Sequence, residues 1–253
     1  MIDIHSHVLP GLDDGARTIE ESLEMLHLAA ASGTTDIVAT PHASPAFLFE
    51  ELRTGEVFRE LADKSSAFIR LHLGCDFHLS YENLHDALSN PGKYTINHQR
   101  YLMVELPDLV ALSSVRQGLQ QLIAAHIIPV ITHPERNISL QPRLSELERW
   151  NKDGCFMQIT GQSFLGRFGP AAKHAADELM RAGLVHFIAS DAHDCRDRPP
   201  DLSRAYQYIS SKHGTECADL IFLYNPAAAI SGETLPGNVN TPRKPSRFFR
   251  FWK

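Results

Sequence analysis

Five histidines and three acidic residues of this 253-residue chain recur at one kind of place, just after a short apolar run. His5 and His7 follow Ile2 to Ile4, His42 follows Ile37 to Thr40, and Asp76 comes after Ile69 to Leu73. Glu105 follows Tyr101 to Val104, His133 follows Ile127 to Thr132, and Asp191 with His193 follows Phe187 to Ala189. His-x-His and Asp-x-His each place two side chains on the same side of an extended backbone. Imidazole and carboxylate without thiolate suit manganese, iron or zinc. Asp13-Asp14-Gly15 adds two carboxylates beyond His7. One of the two is expected to end a turn, the usual job of Asp before Gly; with His7 close by, Asp14 is favoured as a ligand and Asp13 is left as the turn residue. The set exceeds what one ion needs, and two or three divalent ions fit better. Adjacent divalent ions can activate water and clamp the attacking and leaving oxygens of an in-line displacement at phosphorus.

Two arginines point to phosphate. Arg136 lies three residues after His133, and Arg198 lies five after His193. A guanidinium grips two phosphate oxygens at once and stabilises charge that develops on them. A cysteine phosphatase would need Arg six positions after its Cys, but Tyr81, Gly161, Asp201 and Leu223 stand there. Gly-x-Ser-x-Gly and Walker-type loops are absent as well. His78, two residues after Asp76, either lines the same pocket or supports a ligand from behind.

The ligands become one site only if the apolar runs are parallel strands whose carboxyl ends share a face. Seven candidate strands, those above together with Phe156 to Ile159, alternate with segments of helical length, which is the pattern of βαβ units. Ile19 to Ser32 carries Ile19, Leu23, Leu26 and Ala30 on one face with Gly33 beyond. Val115 to Ala125, Leu144 to Trp150, Ala171 to Arg181, Leu202 to Ser211 and Cys217 to Leu223 also read as helices. Residues 1–231 therefore form one α/β barrel. Residues 232–253 form a linker and a tail, in which Arg243, Lys244, Arg247, Arg250 and Lys253 interleave with Phe248, Phe249, Phe251 and Trp252.

The formal charge is −6, but without the five tail cations 19 basic residues face 30 acidic ones, a body of −11. Such a body is a poor nucleic-acid surface. Cys75, Cys155, Cys195 and Cys217 form no C-x-x-C pair, so neither a disulfide framework nor a thiolate zinc site is expected. With no long apolar run and no basic-then-apolar start, the expected location is the cytoplasm. The tail combines cations with aromatic rings, a composition suited to peripheral contact with anionic lipid at the inner face of the membrane. Packing of the tail on the acidic body is the alternative.

The opening Met1-Ile-Asp-Ile-His-Ser-His-Val-Leu-Pro-Gly-Leu-Asp-Asp-Gly-Ala16 resembles that of bacterial tyrosine-protein phosphatases of capsule and exopolysaccharide loci, a branch of the polymerase and histidinol phosphatase (PHP) superfamily. Ala39 to His42, Val130 to Arg136, Ala189 to His193 and Arg198 to Pro200 are similar to that branch in order and spacing. The resemblance implies a distorted (β/α)7 TIM-like barrel with a trinuclear centre, usually manganese, acting on phosphotyrosine of a membrane-associated kinase. It implies that His5, His7, Asp76 and Asp191 hold one ion, that Asp76, Glu105 and His133 hold a second, and that Asp14, His42 and His193 hold a third. Arg136 and Arg198 match its phosphate-binding arginines. At Asp76 the chain departs from the branch, which commonly has Glu there. A PHP phosphatase of a small sugar or amino-alcohol phosphate would use the same face. So would a metal-bound protein that binds a kinase without turning it over, though such a protein has no need of the arginines.

Overall fold

The computed structural model describes residues 1–108 and 111–237. Nine short strands run parallel: β1 (Ile2–Ser6), β2 (Asp36–Ala39), β3 (His42–Ala43), β4 (Arg70–Leu73), β5 (Asp76–His78), β6 (Tyr101–Glu105), β7 (Ile128–Thr132), β8 (Phe156–Thr160) and β9 (Phe187–Ala189). They form a three-stranded sheet, β1-β2-β4, and a six-stranded sheet, β3-β5-β6-β7-β8-β9. The nine correspond to the seven expected strands, because two are broken. The second changes course at Thr40-Pro41, giving β2 and β3, and the third at Gly74-Cys75, giving β4 and β5.

The hydrogen-bond ladder survives both breaks. Gly74 N donates to Ala39 O at 2.9 Å, and Asp76 N donates to Pro41 O at 3.1 Å. Pro41 has no amide hydrogen to leave unpaired there. A Cβ on Gly74 would meet Val38, Ile96 and Thr40 at 3.1, 3.2 and 3.3 Å, so the chain turns where only glycine fits easily. The first and last strands are linked as well: Asp191 N donates to His5 O at 2.9 Å, and His7 N to Ala192 O at 2.8 Å. The result is the distorted parallel barrel, with every strand delivering its carboxyl end to one mouth.

Strand periodicity sorts the apolar side chains into two layers. Ile4, Val38, Tyr101, Met103, Val130, Phe187 and Ala189 pack together in one cluster. The alternate residues Leu102, Val104, Ile131, Met157 and Ile159 pack in another, with Leu122, Trp150 and Leu179. The last three come from helices α4 (Leu112–Ala124), α5 (Leu144–Asp153) and α7 (Gly169–Arg181). Helix α1 (Ile19–Ala31) starts at Thr18, whose side chain accepts from Glu21 N, and it buries Met25, Leu26 and Ala29. Helices α2 (Glu51–Ser65) and α3 (Tyr81–Ser89) are two that are not among those expected from the sequence. Only Thr54, Leu61 and Ser65 of α2 and Ala87 of α3 are buried.

Helix α6 is the single turn Gly161–Phe164, and α8 spans Ser203–His213. The expected helix from Cys217 to Leu223 is instead α9 (Thr215–Asp219), which runs into a π-helical turn, Leu220–Tyr224, and then α10 (Asn225–Ser231). Gly232 ends it in the left-handed region at φ 70°. The basic aromatic tail lies outside the described residues. Among those described, no helix is long and apolar enough to cross a membrane.

Away from the mouth, His186 is buried, its Nδ1 accepting from Met157 N at 3.1 Å. Burial pushes its pKa down to about 4. Above pH 6.5 both the folded and unfolded chains leave this ring neutral. Below it, the unfolded chain takes up a proton that the folded chain refuses, so stability falls as the pH drops toward 4. His186→Asn should remove roughly 2 kcal/mol of the loss between pH 7 and pH 5, read by chemical denaturation at both values. Parallel losses in the two proteins would remove His186 from the acid response.

Candidate metal centre and phosphate site

Register builds the centre of the mouth. His42 and Asp76 are partners in the β3–β5 ladder, and His78 is the partner of Glu105 in the β5–β6 ladder. Asp76 Oδ2 lies 3.4 Å from His5 Nε2 and 3.3 Å from His42 Nδ1. His42 Nδ1 is also 3.6 Å from Glu105 Oε2, and Glu105 Oε1 is 3.7 Å from His133 Nε2. On the other side of the mouth, Asp191 Oδ1 is 3.5 Å from both His5 Nε2 and His7 Nε2. Asp14 Oδ1 closes the ring, 3.4 Å from His42 Nε2 and 3.5 Å from His193 Nε2. All nine expected ligands are thus brought together.

The groupings overlap more than the resemblance implies. Donor atoms converge as His7, Asp14, His42 and His193; as His5, His7 and Asp76; as His5, His133 and Asp191; and as His42, Asp76 and Glu105. His42 therefore faces two groups through its two nitrogens, and His133 stands between Glu105 and the His5–Asp191 pair.

These separations suit cations. Two donors each about 2.1 Å from one ion lie roughly 3 to 3.6 Å apart, which is long for a hydrogen bond between them. Asp76 Oδ2 and His42 Nδ1 are buried and have no hydrogen-bond partner among the described residues. A buried carboxylate oxygen facing imidazole nitrogens at this spacing fits a divalent ion shared among them. The protonation pattern agrees. Burial works to raise Asp76 and Asp191, but the surrounding histidines hold both carboxyls below their ordinary range. Burial works to lower His7, yet Asp13 and Asp191 raise it well above the usual imidazole value. The field that draws protons here would draw cations too. His133 is pushed down to about 4 by burial and by Arg136, leaving its ring neutral and its lone pair available near pH 7.

Several supporting residues were not evident from sequence. Asp13 does make the expected turn, accepting from Gly15 N at 2.9 Å. Its other oxygen also contacts His7 Nδ1 at 2.7 Å and accepts from His42 N at 3.1 Å, so one carboxylate orients two histidines. A Cβ on Gly15 would sit 2.1 Å from His7 O, and that close approach is what folds the loop over the ligand. Gln158 Oε1 meets His5 Nδ1 at 2.9 Å from the middle of β8, and no local pattern marks it. Glu135 is fully buried between His133 and Arg136, its Oε1 accepting from Thr160 N at 3.0 Å and Ser163 Oγ at 2.6 Å. His133 and Asp191 hold left-handed backbone, φ 33° and 52°, which costs about 1–3 kcal/mol each and turns both side chains into the mouth.

Arg136 and Arg198 both contact Asp191 Oδ2, the oxygen turned away from His5 and His7. Arg136 also lies over the Phe168 ring, 4.4 Å from its centroid. Two guanidinium groups thus converge beside the histidine–carboxylate cluster. His78 is half-buried with Nδ1 3.9 Å from Glu105 Oε2, a supporting position behind that carboxylate. Burial raises the thiols of Cys75 and Cys195, the latter to about 11, which fits packing and not thiolate chemistry.

The capsular polysaccharide synthesis family CpsB/CapC matches residues 1–231. CapC of Staphylococcus aureus is 33% identical over 81% of this chain and 82% of its own length. YwqE of Bacillus subtilis, named a tyrosine-protein phosphatase, is 30% identical over the whole of both chains. A crystal structure from work on YwqE of Bacillus subtilis and CpsB of Streptococcus pneumoniae, described there as unique metal-dependent tyrosine phosphatases, superposes with a TM-score of 0.88 and 29% identity. It covers 98% of this chain and 100% of the other.

Asp76 touches more than one donor group, so Asp76→Ala should lower bound metal by at least one ion per chain, measured by inductively coupled plasma mass spectrometry after desalting. Asp13→Asn should keep the stoichiometry but weaken affinity about 10- to 100-fold, because it loosens the second hydrogen bond of a ligand imidazole. Full metal content in Asp76→Ala would refute a shared role for that carboxylate.

Proposed function

The chain belongs to the CpsB/CapC family of capsular polysaccharide synthesis, and from that premise we propose how its barrel mouth works. It is a metal-dependent tyrosine-protein phosphatase. His5, His7, Asp14, His42, Asp76, Glu105, His133, Asp191 and His193 hold two or three divalent ions. Manganese is the ion this mixed nitrogen and oxygen set takes in preference to magnesium, which favours oxygen ligands and retained water. Bound ions supply an activated water and offset the charge of the phosphate.

The chain's own groups do the rest. Arg136 and Arg198 bind the phosphate oxygens through paired N–H donors and stabilise the charge that builds there. Asp191 keeps the two guanidinium groups together beside the ligands, and the Phe168 ring supports one of them from behind. Asp13 and Gln158 fix the His7 and His5 rings so that each presents Nε2 to the mouth. The phenolate of tyrosine, with a pKa near 10, leaves far more readily than an alkoxide, so no strong general acid is required. The observation that carries this reading is the convergence of both arginines on one side of the carboxylate whose other side faces His5 and His7.

The substrate we propose is the phosphotyrosine of a membrane-associated tyrosine kinase that acts in the same polysaccharide system. The phosphatase domain of residues 1–231 then works in the cytoplasm, with residues 232–253 available for contact with the inner membrane face.

Phosphate release from phosphotyrosyl peptides, compared with sugar and amino-alcohol phosphates, tests the reading. Chelator-stripped protein should be inactive and regain activity with manganese more than with magnesium. Arg136→Ala and Arg198→Ala should each lower turnover by about a hundredfold or more with metal content unchanged, and Lys should rescue only in part. Full activity after verified removal of all metal would overturn the proposal, as would efficient turnover of small phosphomonoesters alone.

A further inference from the structure

The face around the arginines opens on two sides with opposite charge. On one side, a cavity of about 900 Å³ runs out from Asp13, Asp14 and His193 of the metal site, and its outer wall is Glu20, Glu24 and Asp194 with the Arg17–Glu21 ion pair. On the other, a groove of about 790 Å³ runs from Arg198 past Phe168 to Arg167 and Arg204. Arg196 and Asp197 line both and form the ridge between them.

The groove's own carboxylates are already engaged. Asp197 pairs with Arg167 at 3.4 Å, and Asp201 accepts from Ser203 N at 2.8 Å and Ser203 Oγ at 2.6 Å at the start of α8. Arg196 and Arg204 are exposed and make no ion pair among the described residues. With Arg198 they leave a cationic track on a chain whose overall formal charge is −6. This track starts at a residue placed in the phosphate site, and its aromatic wall, Phe168, is the ring stacked on the other arginine. A peptide whose phosphotyrosine reaches Arg136 and Arg198 must leave the mouth across one of these two walls or both.

We propose that the groove of Phe168, Arg196 and Arg204 receives the peptide segment on one side of the phosphotyrosine and selects acidic residues there, while the acidic wall disfavours them on the other side. The inference rests on phosphotyrosine as the substrate. It assigns a direction as well as a composition: acidic residues help on one flank only. Exposed charges of this kind contribute modestly and are screened by salt, so the preference should shrink at high ionic strength.

The test uses the full-length, metal-loaded protein and three fluorescent phosphotyrosyl peptides: glutamates on the amino-terminal flank only, glutamates on the carboxyl-terminal flank only, and alanines on both. Anisotropy should show one glutamate peptide binding roughly five- to twentyfold tighter than the alanine peptide at low salt, and the other binding no tighter. KM should follow the same order. The R196A/R204A double variant should lose the preference yet hydrolyse p-nitrophenyl phosphate at the wild-type rate. Equal affinities for all three peptides, or a preference that persists in the double variant, would overturn the inference. Should no phosphotyrosyl peptide be hydrolysed while the arginine-dependent preference remains, the proposed function fails and the groove stands as an acidic-peptide site. Binding to anionic vesicles that the double variant abolishes, without any peptide preference, would assign the cations to a lipid surface and contradict the groove.

Discussion

Everything at the barrel mouth follows from one buried carboxylate oxygen that has no hydrogen-bond partner among the described residues, while the other oxygen of the same group accepts from Thr132 Oγ1 at 3.5 Å. Asp76 Oδ2 is fully enclosed, faces imidazole nitrogens at 3.3 and 3.4 Å, and accepts from none of them. An uncompensated buried anion costs several kcal/mol. A divalent ion among these donors removes that cost. The overlap of donor groups on His5, His7, His42 and Asp76 then means that occupation of one position sets the charge and orientation seen by the next.

The scaffold spends structure to hold that arrangement. Left-handed backbone at His133 and Asp191, a loop pressed onto His7 through Gly15, and the breaks at Thr40-Pro41 and Gly74-Cys75 all depart from regular strand geometry. The last break makes β5 a separate strand paired in register with β3, and this register sets Asp76 directly opposite His42, with His5 and His42 both within 3.4 Å of its Oδ2. Asp191 connects the two halves of the site, facing histidines with one oxygen and Arg136 and Arg198 with the other.

The candidate ligands other than Asp14 were legible in the sequence because each sits next to an apolar strand and strand ends in a parallel barrel share one face. His5, His7, Asp191 and His193 carried a local signature, and His42, Asp76, Glu105 and His133 acquired theirs from the strands before them. Gln158 and Glu135 were not legible as site residues. Each acts through a partner far away in sequence, His5 for Gln158 and Thr160 with Ser163 for Glu135, and nothing near them marks that role. Asp13 was read for its turn alone, since the reach of its second oxygen to His7 and His42 depends on the fold of the loop. Helices α2 and α3 are not among those expected from the sequence although both are amphipathic; each buries few side chains, Thr54, Leu61 and Ser65 in α2 and Ala87 in α3. The seven strands were placed correctly to within about two residues, but not the two kinks, which arise from packing around Gly74 and from the course of the chain at Pro41.

The central claim is that these carboxylates and imidazoles enclose divalent ions and not a network of protons. Anomalous diffraction from crystals grown with manganese, recorded on both sides of its absorption edge, measures this directly. The account predicts at least two anomalous peaks at the mouth, with one within about 2.2 Å of an Asp76 carboxylate oxygen and imidazole nitrogens of His5, His7 or His42 completing its shell. Manganese peaks confined to other parts of the molecule, with Asp76 instead hydrogen-bonded to a protonated His5 or His42, would contradict it.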